Sequence, residues 1–216
     1  MLSTVSGPVR PAVPPRLPGV GDTQHRLMEA AADAFADKGF HATTTRDIAA
    51  RAGLSPAGVY IHFASKEALL FALSERGHEA VRDLIVEAVE AAPTPAEALG
   101  RLLATFSQWH AEHYRVGRIV QYEFTHLTPE HQAAVRRLRR EIDGVVERVL
   151  RAGVGSGAFA VDDVRATVLA LLSLCVDVAR WYEPGIRRSP AQIGATNASL
   201  GLRLVSAAPP TAVSRE

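Results

Sequence analysis

Apolar residues recur every three or four positions along most of residues 21–206, the spacing that places them on one face of an α-helix. No window alternates apolar and polar residues between turn signals, which is the pattern typical of a β-hairpin. Several of the apolar runs begin after Ser, Thr or Asp and end near Gly or Pro, as helices do. The pattern predicts an all-α chain without internal repeats.

The densest series of helix signals lies between residues 22 and 66. A first helix is predicted at 22–38, before Gly39, and Thr44 followed by Asp47 resembles a capping box that begins a second, short helix. That helix ends at Gly53, and Ser55-Pro56 begins a third short helix that reaches about residue 63. Two short helices joined by a tight, glycine-containing turn predict a helix-turn-helix motif.

The second helix of such a motif enters the DNA major groove by its N-terminal end. Small residues stand there, and a glycine inside a helix costs about 1 kcal/mol relative to alanine, so Gly58 needs a reason. Close approach to a groove is the favoured reason, and close packing against another helix is the alternative. The candidate DNA-binding residues are Thr45, Arg46, Ser55, Pro56, Ala57, Gly58, Tyr60, His62 and Lys66.

The segments 44–49, 52–63 and 65–70 closely resemble the DNA-binding domain of the tetracycline-repressor (TetR) family, over roughly residues 23–70. The resemblance implies that Thr45 and Arg46 contact DNA from the second helix and that residues 56–58 face the bases. It implies that Tyr60, His62 and Lys66 bind the phosphate backbone. It further implies a homodimer on a pseudo-palindromic double-stranded operator, with repression as the family default.

The rest of the chain predicts one helical bundle, with helices at 66–91, 95–113, 115–126, 129–152, 162–183 and 189–206. We therefore divide the chain into a disordered, proline-rich arm (1–20), a DNA-binding domain (21–66), an effector-binding and dimerisation domain (67–206) and a flexible tail (207–216).

The last two helices are the candidate dimer interface. The helix at 164–180 is apolar nearly all round, and small residues recur at intervals of four and three in the final helix. Packing inside one chain is the alternative for that stripe, and the family resemblance favours the interface. The candidate interface residues are Leu171, Leu174, Val178, Gly194, Ala198, Gly201 and Leu204.

Aromatic and polar residues in the middle helices predict an apolar ligand cavity, although plain core packing is the alternative for each of them. The candidates are Trp109, His110, Tyr114, Tyr122, Phe124 and Trp181. Segments 122–124 and 181–184 resemble regulators of lipid or steroid breakdown that respond to acyl-CoA thioesters. The resemblance favours a large hydrophobic effector, such as an acyl-CoA.

Composition narrows the possible classes of protein function and the cellular compartment. The net charge of +1 leaves a nucleic-acid partner open, and the single cysteine, Cys175, excludes an internal disulfide and is expected to be buried. The reducing compartment that this implies predicts a cytoplasmic protein, and the apolar run around Cys175 is too short to cross a membrane. No catalytic motif or cofactor loop is present, so we expect no enzyme and no cofactor.

For two polar clusters the sequence leaves two interpretations open. His110 and His113 lie one helical turn apart and are expected to be surface residues, with a metal pair as the alternative. The basic run 136–140 is expected to form a solvated face, with effector phosphate binding as the alternative. A DNA-binding protein without a small-molecule sensor remains the rival function.

Overall fold

The computed structural model describes residues 21–206, which form helices and contain no strand. The α-helices of this range are α1 (Asp22–Ala42), α2 (Thr45–Ala52), α3 (Pro56–Tyr60), α4 (Lys66–Glu90), α5 (Pro95–Glu112), α6 (Tyr114–Tyr122), α7 (Pro129–Gly155), α8 (Val164–Val176), α9 (Val178–Trp181) and α10 (Pro190–Ser206). A 3-10 helix (Phe124–His126) lies between α6 and α7. The all-α prediction is confirmed, and the predicted arm and tail lie outside the described residues.

Local caps position the helix-turn-helix. Thr44 Oγ1 accepts a hydrogen bond from Asp47 N at 3.2 Å, and Asp47 Oδ2 accepts from Thr44 N at 2.9 Å, so the capping box at the start of α2 is complete. Gly53 ends α2 in the left-handed conformation, with φ of 66°. Ser55 Oγ then accepts from Gly58 N at 3.1 Å and begins α3.

Two predicted helices are divided in the structure. The predicted helix at 115–126 consists of α6 and the 3-10 helix, and the predicted helix at 162–183 consists of α8 and α9 on either side of Asp177. The Asp177 carboxylate, between α8 and α9, pairs with Arg180, with Nε 2.6 Å from Oδ1. None of the described helices is long and apolar enough to cross a membrane.

The buried apolar residues form two main clusters. The first joins α1–α3 to the start of α4 and continues through Leu73 to Val116 and Ile119 of α6. The second fills the space between α5, α7, α8, α10 and the second half of α4, and it includes Cys175. Burial raises the pKa of this thiol to about 12, as expected for a buried, unreactive cysteine. Because the first cluster passes residue 66, the division of the chain at 66/67 remains a prediction.

Small residues on α10 pack against the same chain, which corrects part of the predicted dimer interface. A Cβ added at Gly194 would lie 2.5 Å from the carbonyl oxygen of Ala104 in α5, and one at Gly201 would overlap the Leu103 side chain. Leu171 and Val178 are also fully buried within the chain. The close helix approach that these glycines indicate is real, but it joins α10 to α5.

Candidate nucleic-acid interface and ligand cavity

The tip of the helix-turn-helix is exposed. Ser55, Pro56 and Ala57 are exposed, and Gly58 is half-buried. A Cβ added at Gly58 would meet only Ser55 Oγ at 3.5 Å and Leu54 atoms at 3.7 Å and beyond, all from its own turn. Among residues 21–206, no other helix needs a glycine at this position, so helix packing does not explain it.

Polar side chains flank this tip on α2 and α3. Thr45 Oγ1 lies 3.2 Å from Tyr60 Oη, and Tyr60 is 55% exposed. The exposed Arg46 makes no hydrogen bond or ion pair within residues 21–206, and His62 is half-buried nearby. Ile61, which the sequence reasoning missed, is 80% exposed; its position off the apolar face marked by Val59 was the available signal.

Lys66 does not belong to the exposed polar side chains that flank the tip, which corrects its predicted contact with phosphate. Its ammonium donates to the carbonyl oxygens of Phe40 at 2.5 Å, Thr43 at 2.8 Å and His41 at 3.3 Å. Burial lowers the pKa of Lys66, and nearby Glu123 partly offsets this effect. Because the three N–H donors are already used at the end of α1, Lys66 fixes α4 to α1.

Residues 122–131 form a corner that contacts the end of α1. The corner consists of the end of α6, the 3-10 helix and the start of α7. Gly39 leaves the helical conformation with φ of 75° and ψ of 164°. The N–H of Phe40 is then received by Glu123 Oε1 at 3.3 Å. The Phe40 ring stacks on His126, with centroids 5.1 Å apart.

The same corner also contacts the first turns of α4. Glu67 Oε1 accepts from Thr128 N at 3.0 Å and lies 2.7 Å from His131 Nδ1. The His131 ring stacks on Phe71 with centroids 3.8 Å apart. Helices α1–α3 are therefore connected to the rest of the chain both by α4 itself and by residues 122–131.

Behind these contacts lies a cavity of about 370 Å³ between α4, α5, α6, α7 and α8. Its volume lies within the range of small-molecule sites. Two of the six predicted pocket residues, Trp109 and His110, line it. Much of the wall is apolar or small: Gly77 and Val81 from α4, Phe106 from α5, Val116, Gly117 and Val120 from α6, Ile142 from α7, and Leu172 and Val176 from α8.

The other four predicted pocket residues do not line this cavity, so that part of the prediction is corrected. Tyr114 packs edge-on against Tyr182, with ring centroids 5.6 Å apart. Tyr122 and Trp181 are 59% and 43% exposed. The ring of Phe124 lies outside the wall, beneath the guanidinium of Arg139 at 4.6 Å. These four aromatic residues therefore pack against other side chains or are exposed to solvent, and they do not line the cavity.

Several polar groups in the wall were missed from the sequence. His78 Nδ1 lies 2.6 Å from the Ser74 carbonyl oxygen and Arg139 Nε lies 3.2 Å from His78 Nε2. Burial lowers the pKa of His78, and likewise that of His110, to about 4. Mid-helix Gly77 and Gly117 were a usable sequence signal, because such glycines are unfavourable without a close neighbour or a cavity.

His110 and His113 are buried, which corrects their expected surface position. Each is 9% exposed or less, and each Nδ1 lies 2.9–3.0 Å from a backbone oxygen one turn earlier in α5. Across residues 21–206, no three His, Cys, Asp or Glu side chains gather closely enough to hold a metal ion.

Large apolar side chains remain exposed on both α8 and α10. Leu169, Leu200 and Leu204 are 69%, 41% and 52% exposed. Leu200 and Leu204 lie one turn apart on α10, so they share a face. Leu174 and Ala198, also predicted for the interface, are half-buried beside it.

A helix-turn-helix with an exposed tip, connected to a helical domain that contains a cavity, is the arrangement of a DNA-binding transcriptional regulator. Residues 27–73 match the family model for bacterial regulatory proteins of the tetR family, and residues 92–205 match the model for a tetracyclin repressor-like C-terminal domain. The chain belongs to the TetR family of transcriptional regulators.

Individual relatives agree with this assignment. The chain is 32% identical over 179 residues to the HTH-type transcriptional repressor KstR2 of Mycolicibacterium smegmatis, covering 78% of this chain and 83% of that protein. A tetR-family regulatory protein from Rhodococcus RHA1 superimposes with a TM-score of 0.82 at 37% identity, over 88% of this chain and all of that one.

A more distant structure has the same fold. AibR, solved in complex with isovaleryl coenzyme A and operator DNA, gives a TM-score of 0.75 at 22% identity, over 83% of this chain and 97% of that one.

Proposed function

We propose that this regulator is a homodimeric repressor that leaves its operator when a hydrophobic small molecule occupies the cavity. One observation carries the proposal: α4 contributes Gly77, His78 and Val81 to the cavity, and its first residue, Lys66, binds the backbone carbonyls at the end of α1. At 1.5 Å per residue, the cavity begins about 16 Å along the same helix. A ligand in the cavity therefore contacts the element that sets the position of the helix-turn-helix.

DNA recognition is assigned to the exposed tip and its flanks. Pro56, Ala57 and Gly58 offer few hydrogen bonds to base edges, so specificity depends on Arg46, on contacts to thymine methyl groups and on DNA shape. Thr45, Ser55, Tyr60 and His62 supply donors for phosphate, which fix position rather than sequence. Ile61 joins this surface as an exposed apolar side chain.

The dimer interface is assigned to the outer face of α8 and α10. Exposed Leu169, Leu200 and Leu204 supply apolar area that a two-fold partner buries on both sides at once. A dimer of this kind sets the two recognition helices about 34 Å apart, one turn of DNA, and binds a pseudo-palindrome. The protein then acts in the cytoplasm, where the operator is.

The effector class follows from the cavity wall. Its apolar lining suits a hydrophobic molecule, and an acyl-CoA thioester is the form that the sequence resemblance favours. AibR, which shares the fold, binds both isovaleryl coenzyme A and operator DNA.

Selection from a random pool of DNA duplexes tests the DNA half of this proposal. We expect an enriched pseudo-palindrome, which Arg46→Ala should bind more weakly by about 1–3 kcal/mol and with relaxed sequence preference at the base pair that Arg46 contacts. Arg148→Ala on α7 removes an exposed charge from the larger domain and should leave operator affinity unchanged. No enriched sequence would contradict the proposal.

Calorimetry tests the sensor half and separates it from the rival, a DNA-binding protein without a sensor. Decanoyl-CoA is titrated into the protein with and without the selected operator. Because coupling is reciprocal, a ligand that releases DNA must bind the DNA complex more weakly than it binds the protein alone. Equal affinities in the two titrations would favour the rival function.

A further inference from the structure

Arg139 lies in the wall of the cavity without a carboxylate partner. Its guanidinium lies over the Phe124 ring, and its Nε donates to His78 Nε2 at 3.2 Å. Neither terminal Nη group donates to an acceptor within the described chain, and no Asp or Glu oxygen lies within 4.0 Å. Burial, with the neighbouring charge of Arg136, lowers the pKa of Arg139, and the charge of Asp143 offsets this only in part. A half-buried cation without a counterion is unfavourable, so this arrangement needs a reason.

The groups around Arg139 do not pair with it as a counterion. His78 Nδ1 must carry a proton to donate to the Ser74 carbonyl, and Nε2 must be unprotonated to accept from Arg139 Nε, so the ring is neutral. Asp143 lies one turn along α7 and lines the same cavity, but it forms no ion pair with Arg139. The two Nη groups therefore remain available in the fork geometry that matches a carboxylate or a phosphate.

A second unmatched donor lies in the same wall. Trp109 is 6% exposed, and its indole Nε1–H is buried without a hydrogen-bond partner among the described residues. A buried N–H without an acceptor is unfavourable, and such groups in native structures are rare. The cavity therefore combines an apolar wall with two donors, Arg139 and Trp109, that lack acceptors.

We propose that the cavity binds an apolar molecule carrying an oxyanion, and that Arg139 receives this oxyanion while Trp109 donates a further hydrogen bond to the polar end of the ligand. This inference rests on the proposal that the cavity is the effector site. A carboxylate and a phosphate both supply the oxyanion. A free hydrophobic acid carries the first and an acyl-CoA thioester the second, so the test includes both sources.

Calorimetry on the full chain without DNA, with decanoate, decanol and decanoyl-CoA as probes, tests the proposal. Decanoate and decanol share the apolar chain and differ in charge. We expect wild-type protein to prefer at least one of the two anionic probes over decanol by about 10-fold or more, as a charge-assisted hydrogen-bonded pair provides. The preferred anion identifies the source of the oxyanion.

The decisive variant is Arg139→Gln, with Arg140→Gln as its matched control. Arg140 is exposed, lies on the same helix and does not line the cavity. Arg139→Gln should weaken the preferred anion by about 10- to 100-fold and change decanol by less than about threefold. Arg140→Gln should change neither. Trp109→Phe keeps an aromatic ring, removes the N–H and should weaken the anion less than Arg139→Gln does.

Asp143→Asn tests the same proposal independently, should Arg139→Gln fail to fold. Removing a negative charge from the same wall should raise the affinity for the preferred anion by about two- to fivefold and leave decanol unchanged. Equal binding of decanol and both anions by wild-type protein would overturn the proposal, as would an equal loss of all probes in Arg139→Gln. Neither result affects operator selection or Arg46→Ala, so failure here is distinguishable from failure of the proposed function.

Discussion

Gly194→Ala measures how tightly α10 is held against α5. The added Cβ would lie 2.5 Å from the Ala104 carbonyl oxygen and 3.2 Å from its carbonyl carbon. Rotating a side chain cannot relieve a contact with backbone, so the cost falls near the upper end of the usual 1–3 kcal/mol, about 3 kcal/mol. The better helix propensity of alanine stabilises α10 by about 1 kcal/mol and offsets part of this cost. We expect a net loss of about 2 kcal/mol in the free energy of unfolding.

Gly144→Ala is the matched control. Gly144 lies inside α7, and its added Cβ would meet only the flexible end of Arg148 at 3.6 Å, an ordinary contact. The same substitution should therefore stabilise the protein by about 0.4–1 kcal/mol. Urea unfolding gives both free energies, and the melting temperature should fall by about 4–8 °C in Gly194→Ala for a domain of this size.

The comparison also separates an internal helix contact from a contact between subunits. Sedimentation gives the dissociation constant of the dimer, which Leu204→Asp should raise because Leu204 is on the exposed face. If Gly194→Ala proved as stable as Gly144→Ala, the close packing of α10 on α5 would be refuted. Weaker association in Gly194→Ala together with full association in Leu204→Asp would return the glycine stripe to the interface.

Three further predictions concern the DNA-binding domain and the buried histidines. Gly58→Ala, whose Cβ meets only ordinary contacts, should raise the melting temperature slightly but weaken operator binding in fluorescence anisotropy; unchanged binding would contradict the close approach. Lys66→Gln should lower both stability and operator affinity without changing the salt slope, because its ammonium binds backbone carbonyls and not phosphate. His78 and His110 have a pKa of about 4 in the folded state, so only the unfolded chain gains their protons as the pH falls from about 6.5 towards 4. Unfolding free energy should therefore fall over that range by up to about 1.4 kcal/mol per pH unit for each histidine, and a flat urea-unfolding profile would refute their burial as neutral rings.

Helix starts were predictable because their causes are local. Thr44 and Asp47 satisfy each other's backbone donors within one turn, and Ser55 does the same for Gly58, so neighbouring residues alone define these positions. The helix-turn-helix follows directly from these caps. The breaks at Glu123 and Asp177 were missed because continuous apolar periodicity crosses both.

The partners of each helix face were not predictable from the same pattern. A stripe of small residues shows that another backbone comes close to α10, but both α5 of the same chain and a second subunit satisfy it. Only the close approach of Ala104 to Gly194 in the structure identifies α5 as the partner of the stripe. Likewise Arg139 is one of four arginines in a short basic run. Arg136 also lies over the Phe124 ring, so only the hydrogen bond to the distant His78 distinguishes Arg139 from the others.

Arg139 connects the cavity with the corner at residues 122–131, which gives the ligand a second route to the DNA-binding helices besides α4. Its guanidinium lies 4.6 Å from the centre of the Phe124 ring, and adjacent Glu123 accepts from Phe40 N. A ligand shifts the equilibrium only through different affinities for the two states, and we infer that an oxyanion on the Nη groups of Arg139 changes the contact of its guanidinium with Phe124. Phe124→Leu should therefore leave the affinity of the protein for decanoyl-CoA and for operator within about threefold, yet reduce the coupling between them by about 1 kcal/mol. Calorimetry with and without operator measures the coupling, and full coupling in Phe124→Leu would leave α4 as the route.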